Sequence, residues 1–179
     1  MSVATGPAEV RASAAKIVAA VIDEGRSLDD LLAAEDDAGS ARGLKRSLCY
    51  GTLRWHVRLA AILNALATRS PDQLAPRLRA LLEIGLFQLV SGETAPHAAV
   101  AETVEAVRVL GHPPAAGLVN AVLRRYQREH ASLRRLAEKH AATGVEVSAA
   151  QAKVRQAELA IEAIGKRRDA IVGKSDRAI

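Results

Sequence analysis

The chain has 179 residues, of which 49% are hydrophobic and only 2% aromatic, with a formal net charge of +5. That length suits one domain with a tail or two small domains, and Leu, Val, Ile and Ala must build the core, which favours helix over sheet. A single cysteine, Cys49, excludes an internal disulfide and a thiolate zinc site. No run approaches the roughly 18 unbroken apolar residues of a membrane span, and the N-terminus lacks the basic-then-apolar order of a signal peptide. The expectation is a soluble cytoplasmic protein.

The spacing of Val10, Ala14, Ile17, Val18 and Val21 predicts a helix over 8–24, entered at Pro7 and left at Gly25. Ser27 reads as an N-cap with Asp30 three residues on, opening a short helix that carries Leu28, Leu31 and Leu32. An acidic loop follows over 35–40. The next helical region, over 41–67, gathers Leu44, Leu48, Trp55, Leu59, Ile62, Leu63 and Leu66 on one side of the wheel. Arg42, Arg46, Arg54 and Arg58 fall on the opposite half, and Gly51 is expected to bend or split the helix.

A helix over 76–90 is apolar almost all round, which marks the buried centre of a bundle, and Gly85 is where a neighbour can come close. Pro96 starts a helix to Leu110 with Val100, Val104 and Val107 as its stripe, broken by Gly111-His112-Pro113-Pro114. The last helix of the domain, 115–130, carries Leu118, Val119, Val122, Leu123 and Tyr126, with Arg124, Arg125 and Arg128 on its other face. Short connections make neighbouring helices pack side by side. Residues 131–179 read as a helical, partly disordered tail. Residues 132–142 extend the last helix, and Ser148 caps a further segment with Ala150, Val154, Ala157, Ile161 and Ile164 at heptad-like spacing. The fold class is all-α, a compact helical bundle over 8–130 with a helical C-terminal tail.

The runs KRSLCYGTLR at 45–54, LLEIGLFQL at 81–89, PHAAVAETVEAVRVLG at 96–111 and LVNAVLRR at 118–125 resemble, in order and spacing, the NusB-like RNA-binding domain. Tyr50-Gly51-Thr52-Leu53-Arg54, Pro96-His97-Ala98-Ala99-Val100 and Asn120-Ala121-Val122-Leu123-Arg124 look like the variant at the N-terminus of the RsmB (Sun/Fmu) group of ribosomal RNA cytosine-C5 methyltransferases. The resemblance implies RNA, ribosomal in that setting, as partner. It further implies that an S-adenosylmethionine loop and two catalytic cysteines would follow the helical domain in a methyltransferase. Residues 131–179 carry no strand pattern and no cysteine. The chain is read as a truncated gene product, a fragment of such a methyltransferase, or a family member that lost its enzyme part. As given, it is expected to bind RNA without methylating it and to need no cofactor or metal. The alternatives are an antitermination adaptor of the NusB type, working with a ribosomal or transcription protein, and a structural module that dimerises through apolar surfaces.

Charge locates the candidate RNA face. Residues 1–130 carry 15 Lys/Arg against 14 Asp/Glu, and residues 131–179 carry 10 against 6. Within the domain the signs segregate, with no acid between Asp37 and Asp72. Arg42, Arg46, Arg54 and Arg58 are therefore candidate phosphate contacts, with Lys45, Arg11 and Lys16 beside them. The plain alternative is a solvated helix face. Arg124, Arg125 and Arg128 form a second candidate patch, or simply cations near a helix C-terminus. Tyr50 and Trp55 are expected to be partly buried, so phosphate contacts outrank base stacking. His97, Glu102, His56 and His112 show neither a nucleophile partner nor metal-ligand spacing, Asn120 is expected to bond a neighbouring backbone, and Cys49 reads as a core residue.

Overall fold

The computed structural model describes residues 6–35, 39–67 and 70–141. The expected segment after Ser148 lies outside these residues. Among the described residues six helices follow in order: α1 (Pro7–Glu24), α2 (Leu28–Ala33), α3 (Gly39–Leu66), α4 (Pro76–Ser91), α5 (Pro96–Val109) and α6 (Ala116–Ala141), with single 3₁₀ turns at Pro71–Gln73 and Pro113–Ala115. The chain divides into two units, 1–129 and 130–179.

Helix punctuation follows the local chemistry. Proline occupies the first turn of α1, α4 and α5, where its missing N–H costs nothing. Gly25 and Gly92 end α1 and α4 at φ +66° and +72°, and their N–H groups close on the carbonyls of Ala20 and Gln88. Ser27 caps α2 by accepting from the Asp30 N–H at 3.4 Å.

α4 is the central element, with Leu81, Leu82, Ile84 and Leu86 fully enclosed. α1 covers it with Val10, Ala14 and Val18, α3 with Leu48, Leu59 and Leu63, α5 with Val100 and Val107, and α6 with Val119 and Leu123. Each large aliphatic side chain buried this way contributes about 1.5–3 kcal/mol.

Two glycines set the spacing of this packing. At Gly85 a Cβ would stand 3.0 Å from the Leu123 methyls and 3.1 Å from Thr103 Cγ2, so the missing side chain admits α6 and α5 against α4. Gly51 does not split α3, which runs unbroken for 28 residues. Its role is instead to leave room for a ring: a Cβ there would lie 2.1 Å from Phe87 Cζ. Phe87 in turn meets Trp55 edge-on, with centroids 5.6 Å apart and an interplanar angle of 82°.

The core also holds polar side chains. Arg11, Lys45, Thr52, Glu83, Gln88 and Thr103 are all buried. Thr103 donates back to the Ala99 carbonyl at 2.6 Å. Among the described residues no helix is long and apolar enough to cross a membrane.

Candidate nucleic-acid interface

The outer side of α3 is built by one i, i+4 ridge: Arg42, Arg46, Tyr50, Arg54 and Arg58. All five are exposed. The opposite side of the helix is held down by Leu48, Leu59, Leu63 and Leu66, so burial of those leucines turns the arginines outward. At 1.5 Å per residue the ridge is about 24 Å long. α3 contains no Asp or Glu, so its own sequence supplies no carboxylate to neutralise the row.

Two of these guanidinium groups rest on rings. Arg46 lies 5.5 Å from the Tyr50 centroid and Arg58 lies 5.3 Å from that of Trp55. Tyr50 is 42% exposed, more open than its sequence context suggests, because it projects from the ridge and not toward the core. Its hydroxyl donates to Asp29 of α2, and that hydrogen bond pushes its pKa up and keeps it a neutral donor. Trp55 is half-buried as expected.

The ten candidate cations separate by position. Arg42, Arg46, Arg54 and Arg58 share the ridge. Arg11 does not join them. It is 3% exposed, and its Nε and Nη2 donate to Gln88 Oε1 at 3.1 and 2.7 Å while Nη1 donates to the Pro7 carbonyl at 2.8 Å. Burial lowers its pKa, with Glu102 pulling the other way. Lys45 is likewise 3% exposed and is ion-paired with Glu35, which also accepts from Ser13 at 2.9 Å. Both cations lie on the inward sides of their helices, which a count of charges along the chain does not register. Lys16 is exposed on α1, at the rim of a groove.

On α6, Arg124 and Arg128 are exposed. Arg125 instead donates to the Leu66 carbonyl at 2.9 Å and to Glu129 at 2.7 Å, so it caps the C-terminus of α3. Arg58 acts electrostatically on Tyr126 of α6, whose hydroxyl pKa is raised by burial and lowered by that arginine. Asn120 stands exposed, with no bond to a neighbouring backbone among the described residues.

One pairing escaped the sequence. His56 Nδ1 lies 2.7 Å from Glu83 Oε2, beside a cavity of about 240 Å³ that Asn64, Asp72 and Arg79 also line. Glu83 is fully buried, and its Oε1 has no hydrogen-bond partner among the described residues. Burial pushes its carboxyl above the usual range, opposed by His56 and Arg79. The signal was available in principle, since a helix enclosed all round must bury its polar residues too. Among the described residues the cavity lining holds no Ser, Thr or Cys to serve as a nucleophile. Cys49 is enclosed in the core, its thiol pushed up to about 12, first by desolvation. Among the described residues no group of three His, Cys, Asp or Glu side chains is placed to hold a metal ion.

The profile of the NusB family matches residues 8–128. The ribosomal RNA small subunit methyltransferases B of Yersinia pseudotuberculosis serotype O:1b (strain IP 31758) and of Yersinia pestis bv. Antiqua (strain Angola) are each 37% identical over 126 residues, covering 69% of this chain and 29% of the relative. The chain thus spans less than a third of the length of these curated relatives. Two solved structures share its fold. They are T. maritima NusB (TM-score 0.60, 18% identity, 70% of this chain and 92% of that one) and antitermination factors NusB and NusE in complex with dsRNA (0.58, 19%, 66% and 94%).

Proposed function

The chain belongs to the NusB family, and from that premise we propose that it is an RNA-binding module whose phosphate-contacting surface is the α3 ridge. The observation that carries this reading is the row itself: four exposed arginines, with Tyr50 between the second and third, on one i, i+4 line of a helix without a single carboxylate. Planar guanidinium groups engage phosphate oxygens bidentately, and repeated backbone contacts supply most of the affinity for structured RNA. Arg46 and Arg58, already resting on rings, lose less side-chain freedom on binding. Arg124 and Arg128 of α6 are the second contact group.

The target we propose is ribosomal RNA, in keeping with the named activity of the relatives, and the setting is the cytoplasm. Residues 8–130 form the binding module in this reading. The chain as given binds and does not methylate: its one cysteine is enclosed and held as the thiol.

The test is binding of small-subunit ribosomal RNA fragments across a salt series, with wild type compared to the triple variant Arg46→Glu, Arg54→Glu, Arg58→Glu. Each lost phosphate contact lowers the slope of log affinity against log salt by about 0.7–0.9, so the triple variant should lose roughly 2–3 units of slope. An unchanged slope and affinity would remove the ridge from the RNA surface.

A further inference from the structure

A second surface lies where the C-terminal half of α1, α2 and the start of α4 meet. A groove of about 560 Å³ opens there, floored by Ile17, Ala19, Ala20, Leu31, Ala75 and Pro76. Its charges sort themselves. Each acid at the rim already has a cation: Asp23 has Arg79, Glu24 has Arg26 at 3.9 Å, and Glu35 has Lys45. The exposed pair Glu24–Arg26 is solvent-screened and the weakest of the three. Lys16 and Arg77, both exposed, have no carboxylate partner among the described residues. The groove therefore presents an aliphatic floor under a rim with two unneutralised cations.

We propose that this groove docks an acidic peptide segment of a partner protein, one aliphatic side chain seated on the floor and flanking Asp or Glu side chains on Lys16 and Arg77. Charge complementarity selects an anionic occupant, and the floor decides between the anionic classes. RNA bases bind protein by stacking on aromatic or guanidinium planes. The floor here is Ile, Leu, Ala and Pro, which matches a branched aliphatic anchor, and among the described lining residues the aromatic rings reduce to His112, against the several stacking platforms that RNA readers present. The inference goes beyond RNA binding and does not depend on it, because none of the four ridge arginines lines the groove. It supplies what an adaptor requires, namely a protein surface built separately from the RNA surface.

The experiment pans a random dodecapeptide display library against the full chain and measures the recovered peptides by fluorescence anisotropy. Recovered sequences should combine a Leu, Ile or Val with neighbouring Asp or Glu. Lys16→Glu, Arg77→Glu should weaken them at least about tenfold, since reversing charges that face the ligand turns attraction into repulsion. Both positions are exposed, so an unchanged thermal midpoint verifies that the variant folds. RNA affinity through the ridge serves as the independent readout. A loss of peptide binding with RNA binding intact supports the groove. Peptides without acidic enrichment, or peptides indifferent to the double reversal, overturn the proposal. Weakened binding of ribosomal RNA fragments in the same double variant would overturn it in favour of an RNA subsite.

Discussion

Replacing Gly51 with alanine should destabilise this protein, although the same change in the middle of a helix ordinarily gains about 1 kcal/mol. The new methyl would lie 2.1 Å from Phe87 Cζ and 2.6 Å from both Cε atoms. Carbon atoms rest at about 3.5–4.0 Å, so the ring must withdraw by roughly 1.5 Å. Phe87 is buried on the central helix and engaged edge-on by Trp55. Overpacking of this kind costs about 1–3 kcal/mol, and disturbing the ring pair adds about 0.5–1.5 kcal/mol. Set against the propensity gain, the net loss is about 0.5–3.5 kcal/mol. Urea unfolding followed by circular dichroism measures it directly. Phe87→Leu, which removes the tip of the ring, makes the test specific. In the double variant the alanine methyl finds space, and the two changes should fall short of additivity by about 1 kcal/mol. Gly51→Ala at or above wild-type stability, or strict additivity in the cycle, would refute the account of this contact.

Two further perturbations test the buried polar groups. Gln88→Leu removes the acceptor of two Arg11 hydrogen bonds and leaves a buried guanidinium that donates to the Pro7 carbonyl. Stability should fall by about 2–4 kcal/mol, while the salt dependence of RNA binding stays as in wild type. A changed salt slope in the folded variant would return Arg11 to the RNA surface. Glu83 titrates with a sign opposite to the usual carboxylate, because burial raises its folded-state pKa. Below about pH 4.3, the ordinary glutamate value, it is protonated folded and unfolded alike, and its contribution is fully present. As pH rises through the raised pKa, the folded state holds the extra proton and this contribution is lost. The stability of wild type relative to Glu83→Gln should therefore decline as pH increases from about 4. A difference that is flat or rises across that range would contradict the burial argument.

The relation between sequence and site is uneven, and particular residues show why. Helix limits come from local chemistry that neighbours along the chain control: Pro7 opening and Gly25 closing α1, Ser27 before α2, Pro96 opening α5. The buried status of α4 followed from its apolar circumference. Gly85 is legible in the sequence as a close approach, but the role of Gly51 is not, since the atom that needs the space belongs to Phe87, far along the chain. The i, i+4 ridge of arginines was visible as spacing. Arg11 and Lys45 have the same charge as the ridge residues, yet each faces Gln88 or Glu35 in the interior.

Sequence by itself determined the all-α class, the order and most limits of the helices, the central place of α4 and the outward row on α3. These follow from periodicity and capping, which act over a few residues. Tertiary structure alone decided which cations are surface and which are structural. It also placed Arg125 as a cap on α3, paired His56 with Glu83, and assembled the groove from α1, α2 and α4. The physical reason is that a charged side chain answers to whatever polar group packing brings within about 3 Å. For these residues that group comes from another helix, tens of positions away.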